Sequence, residues 1–265
     1  MIDEFLELVR GARAYDLAQP WFVGMPHYPS HPPFLFSLSK KHGDYVAPGG
    51  VSSASEAIAL GGHVGTHMDA LCHYSCGGML HGGVAADGVQ SYSEGLRHLS
   101  IDIVGLVLRR GVLLDIAGLE GVEALPVDYT ITPECLDAAV RAQNVEIRRG
   151  DVVLLRTGWG RFWNEPARYI AEVRGPGPEA AGARWLSERG IYAAGSDTVS
   201  FERVPAPSMP VHVHLLVESG IHIIESLNLE EVARERVHTF LFVAAPLKIR
   251  GGTGSPLRPF AVAPA

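Results

Sequence analysis

The sequence predicts an α/β fold with a mixed, barrel-like β-sheet flanked by helices. Apolar strand-like segments alternate with helical ones but often follow each other directly, which favours a mixed sheet over a regular doubly wound one. Only about four helical segments are recognisable, where a (β/α)₈ barrel would need eight. The 265 residues include 30 glycines and 18 prolines, which indicates many turns rather than a helical bundle. No linker-like change in composition divides the chain, so we expect one domain over residues 1–265.

The N-terminal part of the chain is predicted to contain short elements around one irregular segment. Residues 2–10 fit a short helix and residues 14–17 fit a strand. Residues 26–33, PHYPSHPP, must be irregular, because prolines fix φ and remove amide donors. Residues 51–60 are predicted to form a strand that leads into a histidine-rich segment.

The rest of the chain alternates between strands and helices. Thr132 and Pro133 predict the start of a helix, with Thr132 as the N-cap and Pro133 at the first helical position. Gly190 is typical of the residue that ends a helix. The predicted strands cover residues 101–108, 111–116, 152–156, 191–195, 221–225 and 237–247, and further helices cover residues 178–189 and 212–219.

Charge and composition exclude several classes of protein. The net charge is −7, from 22 basic and 29 acidic residues, and no run of basic residues could follow a phosphate backbone, so no nucleic-acid partner is expected. The N-terminus is acidic and lacks the apolar stretch of a signal peptide. No segment approaches the roughly 18 apolar residues of a membrane span, so no membrane association is expected. The 3 cysteines do not suggest a disulfide framework, and we expect a cytoplasmic location.

Four residues that could bind a metal ion or carry a proton lie close together in GGHVGTHMDALCHY, residues 61–74. They are His63, His67, Asp69 and His73. All four positions are odd, and on an extended strand such residues share one face, because side chains alternate with period two. On a helix only His63 and His67 would lie above one another. The spacing therefore favours a strand that presents all four side chains on one side.

The donor atoms of this cluster are suited to a catalytic divalent cation. Imidazole nitrogen and carboxylate oxygen bind Zn²⁺, Mn²⁺ or Fe²⁺, and these donors do not distinguish Zn²⁺ from Mn²⁺. A site without thiolates that leaves a position open for water is typical of catalysis. Water bound there loses a proton near neutral pH, and the resulting metal-bound hydroxide can attack a carbonyl group. A free histidine nearby can then protonate the leaving nitrogen.

The segment HVGTHMDALCH resembles the H-x-G-T-H-x-D-x-x-x-H motif of the cyclase family of metal-dependent hydrolases. This family includes bacterial kynurenine formamidase and isatin hydrolase. Other segments resemble the family in the same order along the chain, namely AYDLAQPWFVGMPHYPSHPPF, RRGVLLDI, RRGDVVLLRTGWGRFW, GSDTVSFE and ESGIHIIESLNLEEV. The resemblance implies a swivelling β/β/α fold, a small-molecule substrate, and a homodimer or higher homo-oligomer.

The resemblance also implies roles for individual residues. His63, His67 and Asp69 would be metal ligands, and His73 would be the catalytic acid and base. In members with two metal ions the aspartate bridges both, and a distal histidine and glutamate complete the second site. The distal glutamate matches Glu225, and the distal histidine matches His212, with His214 as the alternative. One or two divalent ions per chain are therefore expected. The family motif often has a proline two residues before its last histidine, where this chain has Leu71.

Four further residues are candidates for the wall of a substrate pocket. Trp21, Phe22 and Met25 precede the proline-rich segment, and aromatic side chains commonly line small-molecule sites. His81 is close enough in sequence to the cluster to contact a substrate. Ordinary packing is the alternative for the apolar residues. Asp197 could orient the site through a hydrogen bond to a ligand, or could cap a turn.

The sequence thus predicts a metal-dependent hydrolase that cleaves the C–N bond of an amide or cyclic amide in a small aromatic metabolite. Its activity would be of the arylformamidase or isatin hydrolase type, and a metal-bound hydroxide would attack the carbonyl carbon. Three alternatives remain open: a metal-assisted lactone hydrolase, a dehydratase or ring-closing enzyme, and a non-catalytic ligand-binding protein with the same fold.

Overall fold

A mixed nine-stranded sheet that curls into a half-barrel organises the fold, in a computed structural model that describes residues 6–7 and 10–264. This architecture confirms the predicted α/β class and the mixed, barrel-like sheet. The strands in chain order are β1 Ala12–Asp16, β2 Leu35–Lys40, β3 Ser55–Ala59, β4 His67–Asp69, β5 Met79–Leu80, β6 Val84–Ala85, β7 Gln90–Ser91, β8 Gly95–Leu96, β9 Val107–Asp115, β10 Thr130–Ile131, β11 Val152–Arg156, β12 Gly177–Pro178, β13 Ala193–Ser196, β14 His222–Glu225, β15 Thr239–Ala244, β16 Gly254–Pro256 and β17 Phe260–Pro264.

Short helices connect these strands. Within residues 11–264 the α-helices are α1 Ile116–Leu119, α2 Pro133–Ala142, α3 Pro166–Ile170, α4 Ala180–Glu188, α5 Pro210–His212 and α6 Glu230–Arg234. Helix α5 continues directly into a π-helix, Val213–Ser219. Single 3₁₀ turns cover His81–Gly83, Ala86–Gly88, Ile101–Ile103 and Trp159–Phe162. None of the helices in the described part of the chain has the length and apolarity that crossing a membrane requires.

The strand order of the large sheet is β1-β17-β15-β9-β11-β13-β14-β4-β16. Strands β9, β11, β13 and β14 run parallel to one another. The remaining neighbours pair antiparallel, including β14 with β4 and β4 with β16. Strand β4 therefore lies between two antiparallel neighbours near one end of the sheet, and both of its backbone edges are paired.

The sheet separates two apolar cores. Along β11, Val152 and Leu154 face one core while Val153 and Leu155 face the other, because successive side chains of a strand point to opposite faces. Helices α2 and α4 cover the second core with residues such as Leu136. Burial on both sides explains why the parallel strands read as unbroken apolar runs.

Most predicted elements are confirmed, with two informative exceptions. Helix α2 begins as predicted, since the side chain of Thr132 accepts a hydrogen bond from the amide of Cys135. Residues 101–108 do not form one strand, because the Asp102 carboxylate accepts hydrogen bonds from Ser100 and Gly251 and holds residues 101–103 in a 3₁₀ turn.

The strand predicted over residues 51–60 is shorter and belongs to another sheet. It covers Ser55–Ala59 and pairs only with β2, in a two-stranded hairpin separate from the large sheet. The helix predicted over residues 2–10 lies largely outside the described residues.

Met68 provides a test of the face assignment in β4. Its side chain is fully buried in the first core, whereas Met79 in β5 is 41% exposed. We expect Met68→Ala to lower the free energy of unfolding by about 2–5 kcal/mol, because the substitution leaves a cavity in a packed core. Met79→Ala is the matched control and should change the free energy of unfolding far less. Urea unfolding of both variants measures the difference, and equal losses would contradict the assignment.

Candidate metal centre

Strand β4 presents two candidate ligands on the sheet face that the helices cover. His67 and Asp69 flank Met68, so their side chains point away from the core that Met68 fills. The antiparallel register of β4 with β14 sets Glu225 directly opposite His67. Three buried ligand-type side chains, His67, Asp69 and Glu225, are thereby brought together by one strand pair.

His63 and His73 reach the site from turns rather than from the strand. The chain turns before β4 at Gly65, whose φ is +67° and whose added Cβ would lie 2.5 Å from the indole nitrogen of Trp21, so only glycine fits there. After β4, the amide of His73 bonds to the carbonyl of Ala70 at 2.9 Å. The prediction of an extended strand through all four cluster residues is therefore wrong outside His67–Asp69.

A first group of ligand atoms forms around one oxygen of Asp69. Asp69 Oδ1 lies 2.7 Å from His63 Nδ1 and 3.5 Å from His67 Nε2. The other nitrogens of the two rings have partners of their own, since His63 Nε2 lies 2.8 Å from Thr253 Oγ1 and His67 Nδ1 lies 2.8 Å from the carbonyl of Gly65. These three side chains converge closely enough to hold one ion.

A second group forms on the other side of the same carboxylate. His212 Nε2 lies 3.8 Å from Asp69 Oδ2 and 3.2 Å from Glu225 Oε1. The amide of Phe201 donates to Glu225 Oε1 at 2.7 Å and fixes that side chain. His214, the alternative ligand, instead contacts Glu218 and Ser187 away from the group. Asp69, His212 and Glu225 thus form a second set of convergent ligands.

The residues present fit one or two divalent cations. Asp69 Oδ2 is buried, and among the described residues it has no hydrogen-bond partner, which is costly for a carboxylate oxygen. A cation shared between the two groups would satisfy that oxygen. Imidazole and carboxylate donors without thiolates suit Zn²⁺ or Mn²⁺.

Both carboxylates of the site are held in their ionised form. Burial raises the pKa of Asp69, but the neighbouring rings of His73 and His63 outweigh this and hold its pKa well below the usual range. Burial likewise raises the pKa of Glu225, and its hydrogen bond with His212 outweighs this and lowers the pKa to about 2. At neutral pH both groups are therefore anionic, which is the form that binds cations.

His73 differs from the other histidines of the site in its surroundings. Its ring stacks on that of His63 with centroids 3.8 Å apart, and its edge meets Tyr74 at 4.8 Å. Burial lowers the pKa of His73 to about 3, so the ring is neutral at pH 7. Burial also lowers the pKa of His212, but hydrogen bonds with two buried carboxylates outweigh this and raise it to about 10.

Members of both ligand groups line one cavity of about 320 Å³, namely His67 of the first group and His212 and Glu225 of the second. His73, Tyr28, His31, Tyr74 and Met209 also line it. The irregular proline-rich segment packs against the site and supplies Tyr28 and His31 to the cavity lining. The cavity has the size of a small-molecule site.

The structure places the four residues predicted for the pocket wall outside the lining of this cavity. Among the described residues that line the cavity, Trp21, Phe22, Met25 and His81 are absent. The first three pack in a separate apolar cluster, where Trp21 contacts the turn at Gly65. The ring of His81 bonds to a carbonyl of the π-helix and not to the cavity.

Sequence reasoning did not identify three residues that support the site. Glu202 and Thr253 hold ligand histidines by hydrogen bonds, and Tyr74 packs against His73 and His212. No local pattern marks Glu202 or Thr253, because their histidine partners lie 10 and 190 residues away. Tyr74 follows His73 directly, but its contact with His212 depends on the fold. Asp197, considered as a support of the site, instead accepts hydrogen bonds from the backbone that follows β11 and caps that turn.

Known proteins share both the sequence pattern and this fold. A family model described as putative cyclase matches residues 15–203. Isatin hydrolase from Roseibium aggregatum is 27% identical over 215 residues, which cover 78% of this chain and 74% of that protein. Kynurenine formamidase from Bacillus cereus is 25% identical over 243 residues, covering 92% and 94%. A crystal structure described as a novel cyclase has a TM-score of 0.89 at 30% identity and covers 97% of this chain and 89% of that chain.

Gly254 tests whether the observed position of His63 matters for ion binding. A Cβ added there would lie 2.5 Å from His63 Cε1, so Gly254→Ala must displace a ring held by two hydrogen bonds. We expect the affinity for Zn²⁺ to fall at least about tenfold, the scale seen when the support of a ligand is lost. Gly88→Ala is the control, because its Cβ would meet no atom within 4 Å. Zn²⁺ affinity is measured in competition with a chelator. Equal affinities of the Gly254→Ala and Gly88→Ala proteins would show that the position of His63 does not affect ion binding.

Proposed function

The chain belongs to the cyclase family, and from this premise we propose that it is a metal-dependent hydrolase that cleaves the C–N bond of an aryl amide or cyclic aryl amide. Its named relatives are an isatin hydrolase and kynurenine formamidases, which are hydrolases acting on amide bonds. The observation that carries the proposal is that Asp69 is shared by two ligand groups, and that members of both groups line one cavity together with His73.

Two divalent ions, Zn²⁺ or Mn²⁺, are the proposed cofactors. His63, His67 and Asp69 would hold one ion, and Asp69, His212 and Glu225 would hold the other. Divalent cations in such sites polarise the substrate carbonyl and make water acidic enough to act as a nucleophile. The side chains of the chain itself then need to orient the substrate and move a proton.

His73 is the proposed proton carrier. It accepts the proton of the attacking water as a C–O bond forms, and it delivers that proton to the nitrogen as the C–N bond breaks. Its position at the cavity beside His63 supports this role. Among the described residues, no carboxylate lies within hydrogen-bonding distance of the His73 ring, so the ring is not held by an acidic partner. An open-chain aryl amide gives a carboxylic acid and an aromatic amine, whereas a cyclic aryl amide gives one ring-opened product that carries both groups.

The cavity wall favours an uncharged aromatic substrate. Tyr28, His31 and Tyr74 give the wall an aromatic character, which suits a planar ring. Among the described residues that line the cavity, none is a lysine or arginine that could pair with a carboxylate of the substrate. We therefore propose a neutral cyclic amide of the isatin type in preference to an amide that carries an amino-acid group.

Hydrolysis of a small substrate panel tests this proposal. We expect the Zn²⁺- or Mn²⁺-loaded protein to hydrolyse isatin more efficiently than N-formylkynurenine, and activity should disappear after chelation and return when the metal is restored. Rates are followed by the absorbance of the products, and mass spectrometry checks that one water is added. If the metal-loaded protein turns over no amide or lactone, a ligand-binding role is favoured. A product without added water would indicate a dehydratase or ring-closing enzyme.

His73→Ala separates proton transfer from ion binding. We expect kcat to fall about 100-fold or more, the scale of general acid–base catalysis, while the number of bound ions per chain stays the same. His42→Ala is a suitable control, since His42 is exposed and contacts Ser52 on the hairpin. Loss of a bound ion from the His73→Ala protein would make His73 a ligand and refute the assigned role.

A further inference from the structure

A third buried carboxylate, outside both ligand groups, lies directly behind His212. Glu202 is 1% exposed, and its Oε1 lies 2.6 Å from His212 Nδ1. The same oxygen accepts a hydrogen bond from the backbone amide of His212 at 3.0 Å, and Oε2 accepts one from the amide of Val211 at 3.4 Å. One carboxylate therefore holds the ring of His212 and the backbone that carries it.

The contact dictates how the ring is oriented. Glu202 Oε1 already accepts the backbone amide of His212, and a carboxylate oxygen accepts rather than donates, so the geometry places His212 Nδ1 as the donor to Glu202. The remaining ring nitrogen, Nε2, then faces Asp69 Oδ2 and Glu225 Oε1 at 3.8 and 3.2 Å. When Nε2 gives up its own proton, this orientation lets His212 bind a cation through Nε2.

The three ligand histidines are not supported in the same way. Each has a hydrogen-bond partner at the nitrogen that would not bind the ion, and among the described residues only His212 has a carboxylate there. The partners are Thr253 Oγ1 for His63, the Gly65 carbonyl for His67 and Glu202 Oε1 for His212. Support by a side-chain carboxylate is therefore specific to the second group.

Local structure alone would hold His212 poorly. Helix α5 has only 3 residues and passes straight into a π-helix, and Met209 before it has a φ of +45°. The first amides of a helix lack partners within the helix, and Glu202 accepts from two of them. The buried carboxylate thus compensates for a short, irregular helix at the point where a ligand must be held.

We propose that Glu202 is the positioning residue of the second cation site, where its carboxylate fixes the tautomer and direction of His212 and so sets the affinity of that site. The inference rests on the proposed function only in taking the two ligand groups as cation sites. It assigns Glu202 no contact with the substrate or with the ions. Its expected effect is therefore on the binding of one of the two ions.

The decisive experiment compares Glu202→Gln with a matched control, Glu218→Gln. Glu218 also pairs with a histidine, since its Oε2 lies 2.7 Å from His214 Nδ1, but this pair lies outside both groups and Glu218 is 60% exposed. Zn²⁺ bound per chain is measured against a series of buffered free Zn²⁺ concentrations. We expect two ions on the unmodified protein. In Glu202→Gln the Kd of one ion should rise about 10- to 100-fold, the range for loss of such a partner, and Glu218→Gln should bind both ions as the unmodified protein does.

A spectroscopic measurement identifies which ion is affected. The protein is loaded with Co²⁺ in place of Zn²⁺, and its visible absorption bands are recorded. Glu225→Ala should remove the bands of Co²⁺ bound at the second group, and His63→Ala should weaken the bands of Co²⁺ bound at the first group. We expect Glu202→Gln to perturb the bands that Glu225→Ala removes and to leave the others unchanged. Circular dichroism checks that each variant is folded, and glutamine keeps nearly the volume of the glutamate that it replaces.

Three outcomes would overturn the inference: unchanged Zn²⁺ affinity in Glu202→Gln, equal weakening of both ions, or a single ion per chain that the substitution does not affect. None of these readouts requires turnover. A protein that binds two ions with the expected dependence on Glu202 but hydrolyses nothing would refute the proposed function alone. A protein that hydrolyses its substrate while Glu202→Gln binds both ions normally would refute the positioning role alone.

Discussion

The antiparallel pairing of β4 with β14 is the constraint on which the candidate centre depends. It sets Glu225 opposite His67 and leaves Asp69 between the two ligand groups. A slip of one residue would turn His67 and Asp69 into the apolar core and bring Met68 to the site. Burial of Met68 on one face and pairing with β16 on the other edge of the strand both oppose such a slip.

The concentration of buried carboxylates in the centre favours the binding of cations. Asp69, Glu202 and Glu225 are all nearly inaccessible to solvent, and buried carboxylates are costly unless they are paired. The surrounding histidines offset part of this cost through hydrogen bonds, but Asp69 Oδ2 keeps no partner among the described residues. A folded chain with this arrangement is stabilised when divalent ions bind, because binding favours the native state.

The sequence predicted the chemistry of the site better than its local geometry. The types and spacing of His63, His67 and Asp69 predicted a cation site, and these three side chains converge. The strand explanation was correct only for His67 and Asp69, since His63 and His73 lie in turns. The pocket wall was predicted from nearby aromatic residues, but Trp21 packs beneath the Gly65 turn instead. Proximity along the chain does not determine which side of a turn a side chain faces.

By itself the sequence determined the mixed α/β class, the position of most strands and helices, and the ligand chemistry of residues 63–73. These features depend on local periodicity and donor type, which a single chain displays directly. Only the tertiary structure decided between His212 and His214 as the side chain that joins Asp69 and Glu225, and only it revealed Glu202 behind His212. These contacts depend on strand register and on how a short helix packs over the sheet. Both are set by burial across the whole fold, because residues distant in sequence carry no local sign of their partners.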